Sequence, residues 1–213
     1  MGTPGSRFYL VNDRPVAVVP TWDGGEDCVA FDFATGELLP DRSYFRYLIP
    51  GSGKDVDVVT QTEFAAQLAV YRAEAGARAV TELRQWAERL CLTAGQAADL
   101  GAALGPFKRD RGDDVRLELP PGGYSRISIT VDKQRAGRVR IELRPAGRLL
   151  TREILAAEFR GERELPIPPD SWLEGFVRYE DVTVPGIPAA CEIDAQFRNQ
   201  AAVRIQLSRD PRN

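Results

Sequence analysis

The sequence contains no histidine. Histidine is the commonest proton-transfer residue near neutral pH, so its absence excludes Ser-His-Asp and Cys-His catalysis. It also excludes every zinc site that uses imidazole. Lysine is scarce, three residues against 25 arginines. Spread over the whole chain, that bias reflects codon usage more than chemistry and points to a GC-rich bacterial genome. Cysteine occurs three times, at Cys28, Cys91 and Cys191. An odd, widely spaced set makes no disulfide framework, and no pair has metal-ligand spacing. Each cysteine stands beside apolar residues, so buried thiols in a reducing, cytoplasmic setting are expected. No run approaches the roughly 18 apolar residues of a membrane span, and no basic start leads into an apolar run as a secretory signal would. Met1-Gly2-Thr3-Pro4-Gly5-Ser6 matches an N-myristoylation pattern, but so short a match arises readily by chance.

What is present is an ordinary globular mixture. The 213 residues are 43% hydrophobic and 28% charged, enough apolar material for a core. The net charge is -3, which gives no field for nucleic acid. Its distribution is uneven. Residues 1–63 hold ten acids and five bases, whereas 105–213 hold 17 acids and 19 bases.

Phe8–Val11, Pro15–Val19 and Asp27–Phe33 read as strands separated by turns at Asn12-Asp13 and Asp23-Gly24. In the third, Val29, Phe31 and Phe33 form the apolar set expected to face the core. Tyr44–Ile49 fits either a strand or a short helix. Thr60 with Glu63 forms a capping box, and apolar stripes then run through Phe64, Leu68 and Tyr71, and through Val80, Leu83, Trp86 and Leu90. Gly76 between them leaves one bent helix or two helices open. A further helix is expected over 93–104, before the stop at Gly105-Pro106. Beyond a charged stretch the period becomes two. Val115–Leu119, Val139–Leu143 and Val203–Leu207 repeat one aliphatic and charged alternation at unequal intervals, which is convergence on strand chemistry rather than duplication. A short helix over 151–159 follows a Thr151 cap.

The expected fold is therefore α+β: a small N-terminal antiparallel sheet with helices, then a C-terminal antiparallel sheet carrying one helix. The N-terminal unit spans 1–106, with strands within 8–49 and helices within 60–104. Residues 107–114 are read as a linker and 115–213 as the C-terminal sheet.

Candidate chemistry is sparse. Asp55 with Asp57, and Asp113 with Asp114, are paired acids with nothing to push their pKa values apart. Gly51-Ser52-Gly53-Lys54 is only a fragment of a phosphate-binding loop: the first glycine is missing and Asp55 replaces the hydroxyl residue. Lys108-Arg109-Asp110-Arg111 is diluted by neighbouring aspartates. The aromatics say more. Trp22 stands in a turn beside Asp23, Glu26 and Asp27, and Trp172 beside a proline-rich stretch; such residues anchor protein interfaces. They also plug the ends of sheets.

The leading expectation is a non-enzymatic binding protein that contacts another, basic protein through Trp22, Asp23, Glu26, Asp27 and Trp172, without cofactor, metal, membrane or nucleic acid. An immunity- or antitoxin-type inhibitor is its concrete form. A small-ligand binder or carboxylate enzyme with an inter-domain pocket is the first alternative, a structural subunit the second. Self-association stays open.

Overall fold

The computed structural model describes residues 5–92, 107–109, 115–117, 124–132, 138–167, 169, 171–182 and 191–209. It is α+β and mostly sheet, with two antiparallel sheets and one long helix. The chain divides into two compact units, Met1–Ala75 and Gly76–Asn213. The division falls inside the long helix. The stretch 107–114, read as a linker, contains a short strand, and the helix expected over 93–104 lies outside the described residues.

In the first unit, β1 (Arg7–Val11), β2 (Arg14–Pro20), β3 (Glu26–Asp32) and β4 (Glu37–Pro40) form a meander. β5 (Val56–Val59) returns to pair with β1, giving the order β4-β3-β2-β1-β5. The β1–β2 connection is a two-residue turn in which Asn12 and Asp13 take φ values of 46° and 64°. Both centres are left-handed, as a twist-matched hairpin requires.

Both faces of this sheet are covered. On one face Ala17 and Phe31 pack with Phe64 and Leu68 of α1 (Gln61–Leu92), and Tyr71 joins them. On the other, Val11, Val16, Val18, Cys28 and Ala30 pack with Tyr44, Phe45, Tyr47 and Leu48, from a 3-10 helix at Arg42–Tyr47 and the residue after it. The sequence reading gave β3 one core face. In fact Cys28 and Ala30, on the supposed outer side, are as buried as Phe31. Small residues there let the 3-10 helix approach.

α1 starts where its capping box predicts. Thr60 Oγ1 accepts from the Glu63 N–H at 3.2 Å, and Glu63 accepts from the Thr60 N–H at 2.8 Å. The helix then runs 32 residues through Gly76 without interruption. A β-carbon on Gly76 would lie 3.2 Å from Ile154 Cδ1 and 3.4 Å from the Leu149 carbonyl oxygen. The glycine is thus a point of close approach rather than a break.

The second unit holds an eight-stranded antiparallel sheet ordered β10-β11-β12-β13-β9-β8-β7-β6. Its longer strands are β8 (Tyr124–Asp132), β9 (Arg138–Pro145), β11 (Gly175–Val182), β12 (Cys191–Arg198) and β13 (Ala201–Arg209). β6 (Phe107–Arg109) and β7 (Val115–Leu117) finish one edge, and β10 (Arg160–Glu164) the other. Register aligns two apolar rows across five strands. One is Ile127, Leu143, Ile205, Ala195 and Val177; the next is Ile129, Ile141, Leu207, Ile193 and Tyr179. All ten side chains are at most 1% exposed. Burying one large aliphatic side chain contributes about 1.5–3 kcal/mol, so these rows are the main cohesive element of the sheet. Two of the similar strings noted above pair directly: Ile205 faces Leu143 and Leu207 faces Ile141.

α2 (Arg152–Glu158) begins at Thr151, whose hydroxyl accepts from the Ile154 N–H at 3.2 Å, and it buries Leu155. Phe159, at its end, sets its ring 6.2 Å from that of Tyr179. Further back, the Tyr124 hydroxyl donates to the Ala79 carbonyl of α1 at 3.2 Å. Among the described residues no helix is long and apolar enough to cross a membrane.

One cysteine expectation is corrected. Cys28 is a free buried thiol, but Cys191 is disulfide-bonded. The spacing of three cysteines carries no information about a long-range pair, which only the fold creates. The side chain of Cys91 lies outside the described residues.

Candidate functional site

The β2–β3 connection presents Trp22. The Thr21 N–H donates to the Gly25 carbonyl at 2.9 Å, and the Gly24 N–H donates to the Thr21 carbonyl at 3.1 Å. Gly24 takes φ 82°, the left-handed step that closes the loop. Asp23 reinforces it by accepting from the Thr21 hydroxyl and, at 3.3 Å, from the Gly25 N–H. These bonds hold the Asp23 carboxyl below its usual range. The indole of Trp22 is left 99% exposed at the apex. It plugs nothing.

The neighbouring acids are largely matched. Glu26 pairs with Arg7 at 2.7 Å, and Asp27 with Arg42 at 2.9 Å. The Arg42 hydrogen bond, with one from the Cys28 N–H, lowers the Asp27 pKa. Asp27 and nearby Asp41 then act on Cys28: burial first, and those two charges second, push its thiol up to about 11. Cys28 is no nucleophile at neutral pH. The acidic field anticipated around Trp22 thus shrinks to Asp23 and two ion pairs.

Trp172 belongs to the second unit. It is 61% exposed, and the Arg198 guanidinium lies 5.2 Å from the centre of its ring. Trp22 and Trp172 therefore stand on different units, each in its own setting.

Clefts among the described residues include one of about 370 Å³ in the second unit, beside Arg148 and Arg198, and two others. The larger, about 560 Å³, is lined in the second unit by Thr151, Arg152, Glu153, Glu162, Glu174 and Phe197, among others. Several of its charges are already engaged: Arg152 pairs with Glu162 and Glu164, and Glu174 accepts from the Asn199 N–H. The smaller, about 340 Å³, lies in the first unit between the β1–β2 turn and the 3-10 helix, and Arg14, Tyr44, Tyr47 and Lys54 are among its lining residues. Sequence reasoning missed this group, because β1–β5 pairing and the 3-10 helix bring together residues up to 40 positions apart. Lys54, in the glycine-bearing fragment, was the one signal. Asp55 and Asp57 are exposed and make no cleft, while Asp113, Asp114 and the side chains of Lys108 and Arg109 lie outside the described residues. Among the described residues no three His, Cys, Asp or Glu side chains group to hold a metal.

Compared with protein families, curated proteins and solved structures, the chain matches none.

Proposed function

We propose that this chain is a non-enzymatic protein-binding protein whose β2–β3 hairpin tip inserts Trp22 into a pocket of its partner. The observation that carries this reading is a fully exposed tryptophan on a turn that its own hydrogen bonds hold rigid. An indole left in water costs solvation for no internal gain, and a preorganised aromatic anchor binds with little entropy loss. The partner chemistry that suits it is an apolar pocket with a cation at its rim to meet Asp23. Glu26 and Asp27 contribute less than the sequence implied, because each already has an arginine. An immunity-type inhibitor that plugs an enzyme cleft is one concrete form. As for compartment, the disulfide at Cys191 suits an oxidising location better than the cytoplasm.

The test is affinity capture from the native cell extract with the wild-type chain, Trp22→Ala and Trp172→Ala. One stoichiometric partner, rebinding as a purified protein to wild type and Trp172→Ala but about 30-fold more weakly to Trp22→Ala, supports the reading. A partner indifferent to Trp22→Ala sinks it.

A further inference from the structure

The smaller cleft gathers positive charge and hydroxyl donors with little to neutralise them. Arg14 opens β2, and its Nη1 donates to the Tyr44 hydroxyl at 2.9 Å while its guanidinium lies 5.0 Å from the centre of the Phe33 ring. Arg46 donates to the Tyr47 hydroxyl and lies 4.6 Å from the centre of that ring. Each tyrosine hydroxyl thus accepts from a guanidinium and keeps its own O–H to donate outward, polarised by the cation behind it. The two rings meet edge to face, with centres 5.5 Å apart.

Lys54 completes the group. Its loop turns through Gly51 and Gly53, at φ 86° and 72°, where a side chain would be strained. Ser52 Oγ donates to the Tyr47 carbonyl at 2.8 Å, tying the loop to the 3-10 helix. Lys54 Nζ comes to rest 5.6 Å from the centre of the Tyr47 ring. Asn12 fastens the other side, donating its N–H to the Asp55 carbonyl at 2.9 Å and accepting from the Asp55 N–H at 3.1 Å. Arg14, Arg46 and Lys54 make no carboxylate ion pair among the described residues; Asp41 is the acid whose charge senses both arginines. Arg14 and Lys54 line the cleft, Arg46 lies against the Tyr47 ring, and the sequence neighbours Asp13 and Asp55 are exposed, outside the cleft's lining. Lys54 leads into a strand, β5, and not directly into a helix, so this is no nucleotide-type phosphate loop but a receptor built from side chains.

We infer that this cleft binds a phosphate-type oxyanion through Arg14, Lys54 and the hydroxyls of Tyr44 and Tyr47. The ion comes either free or as the ester of a small molecule. Guanidinium, ammonium and phenol donors are the groups that match such an anion, and charge-assisted hydrogen bonds are its strongest contacts. The cleft's 340 Å³ exceeds what a bare phosphate fills, which leaves room for a small attached group. This inference does not depend on the role of Trp22.

The full chain is titrated calorimetrically at low salt with inorganic phosphate, phenyl phosphate and phenol, alongside Lys54→Gln and Arg14→Gln. Lys54 is exposed, so its variant leaves the fold intact. Expected is saturable binding of phenyl phosphate but not phenol, weakened about tenfold by Lys54→Gln and further by the double variant. Phenyl phosphate binding more tightly than inorganic phosphate assigns an ester, and equal binding assigns the free ion; both support the site. No saturable binding of either phosphate at millimolar concentration overturns it. So does binding that Lys54→Gln leaves unchanged.

Discussion

Replacing Asp194 by alanine is expected to destabilise the second unit by about 3 kcal/mol. Asp194 stands on β12 directly opposite Arg178 on β11 and is only 6% exposed. Arg178 Nε donates to its Oδ1 at 2.7 Å and Nη2 to its Oδ2 at 2.9 Å, a two-point clasp that raises the arginine's pKa. Removing one member of a buried pair typically costs about 3–5 kcal/mol, mostly because the other charge stays desolvated. Arg178 would retain Glu192 at 3.1 Å, which places Asp194→Ala at the low end. Arg178→Ala would strand the more deeply buried carboxylate and cost about 4 kcal/mol. The double variant Arg178→Leu, Asp194→Leu removes both charges and is expected within about 1 kcal/mol of wild type. Urea unfolding read by tryptophan fluorescence is suitable, because Trp86 is buried in this unit while Trp22 and Trp172 are exposed. A single variant within about 0.5 kcal/mol of wild type, the range of ordinary surface substitutions, refutes the reasoning. A double variant as costly as either single change refutes it too.

Three further outcomes follow from the same geometry. Burial holds the half-buried Glu82 carboxyl above its ordinary 4.5, against the pull of Arg78. A raised folded-state pKa gives stability that is full below 4.5 and lost as pH rises through the shifted value. Glu82→Gln should therefore match wild type near pH 4 and exceed it increasingly toward neutrality; a constant difference across that range contradicts this. Gly76→Ala gains about 1 kcal/mol of helix propensity but forces Ile154 to yield, so it should bring no net gain, whereas Gly76→Val should cost about 1–3 kcal/mol; melting temperatures decide. Thiol titration of the unfolded, unreduced chain should find fewer than three reactive cysteines, and finding three would remove the disulfide at Cys191.

Much of the local structure was legible in the residues. Thr60 with Glu63, the Thr151 cap, and the Asn12-Asp13 turn each announce themselves through side-chain or backbone chemistry within four positions. Alternation likewise located β9 and β13. What it did not carry was which strands meet. That β13 lies between β12 and β9, or that β5 returns to β1, depends on long-range pairing to which period two is indifferent. β10 escaped notice because its sequence, Arg160-Gly161-Glu162-Arg163-Glu164, has no apolar face. It is an edge strand held by its ladder and by pairs such as Arg163 with Glu180 at 2.8 Å. At the candidate site, Trp22 was found by its turn, while the pairing of Glu26 with Arg7 and of Asp27 with Arg42 was invisible across 19 and 15 positions.

The most direct check on the binding role is acrylamide quenching of a chain whose only tryptophan is Trp22, made by Trp86→Phe and Trp172→Phe, alone and with its captured partner. The account predicts quenching like that of a free indole in the isolated chain, and strong protection when the partner is added. An indole already shielded in the isolated chain would contradict the account, as would one equally quenched in the complex.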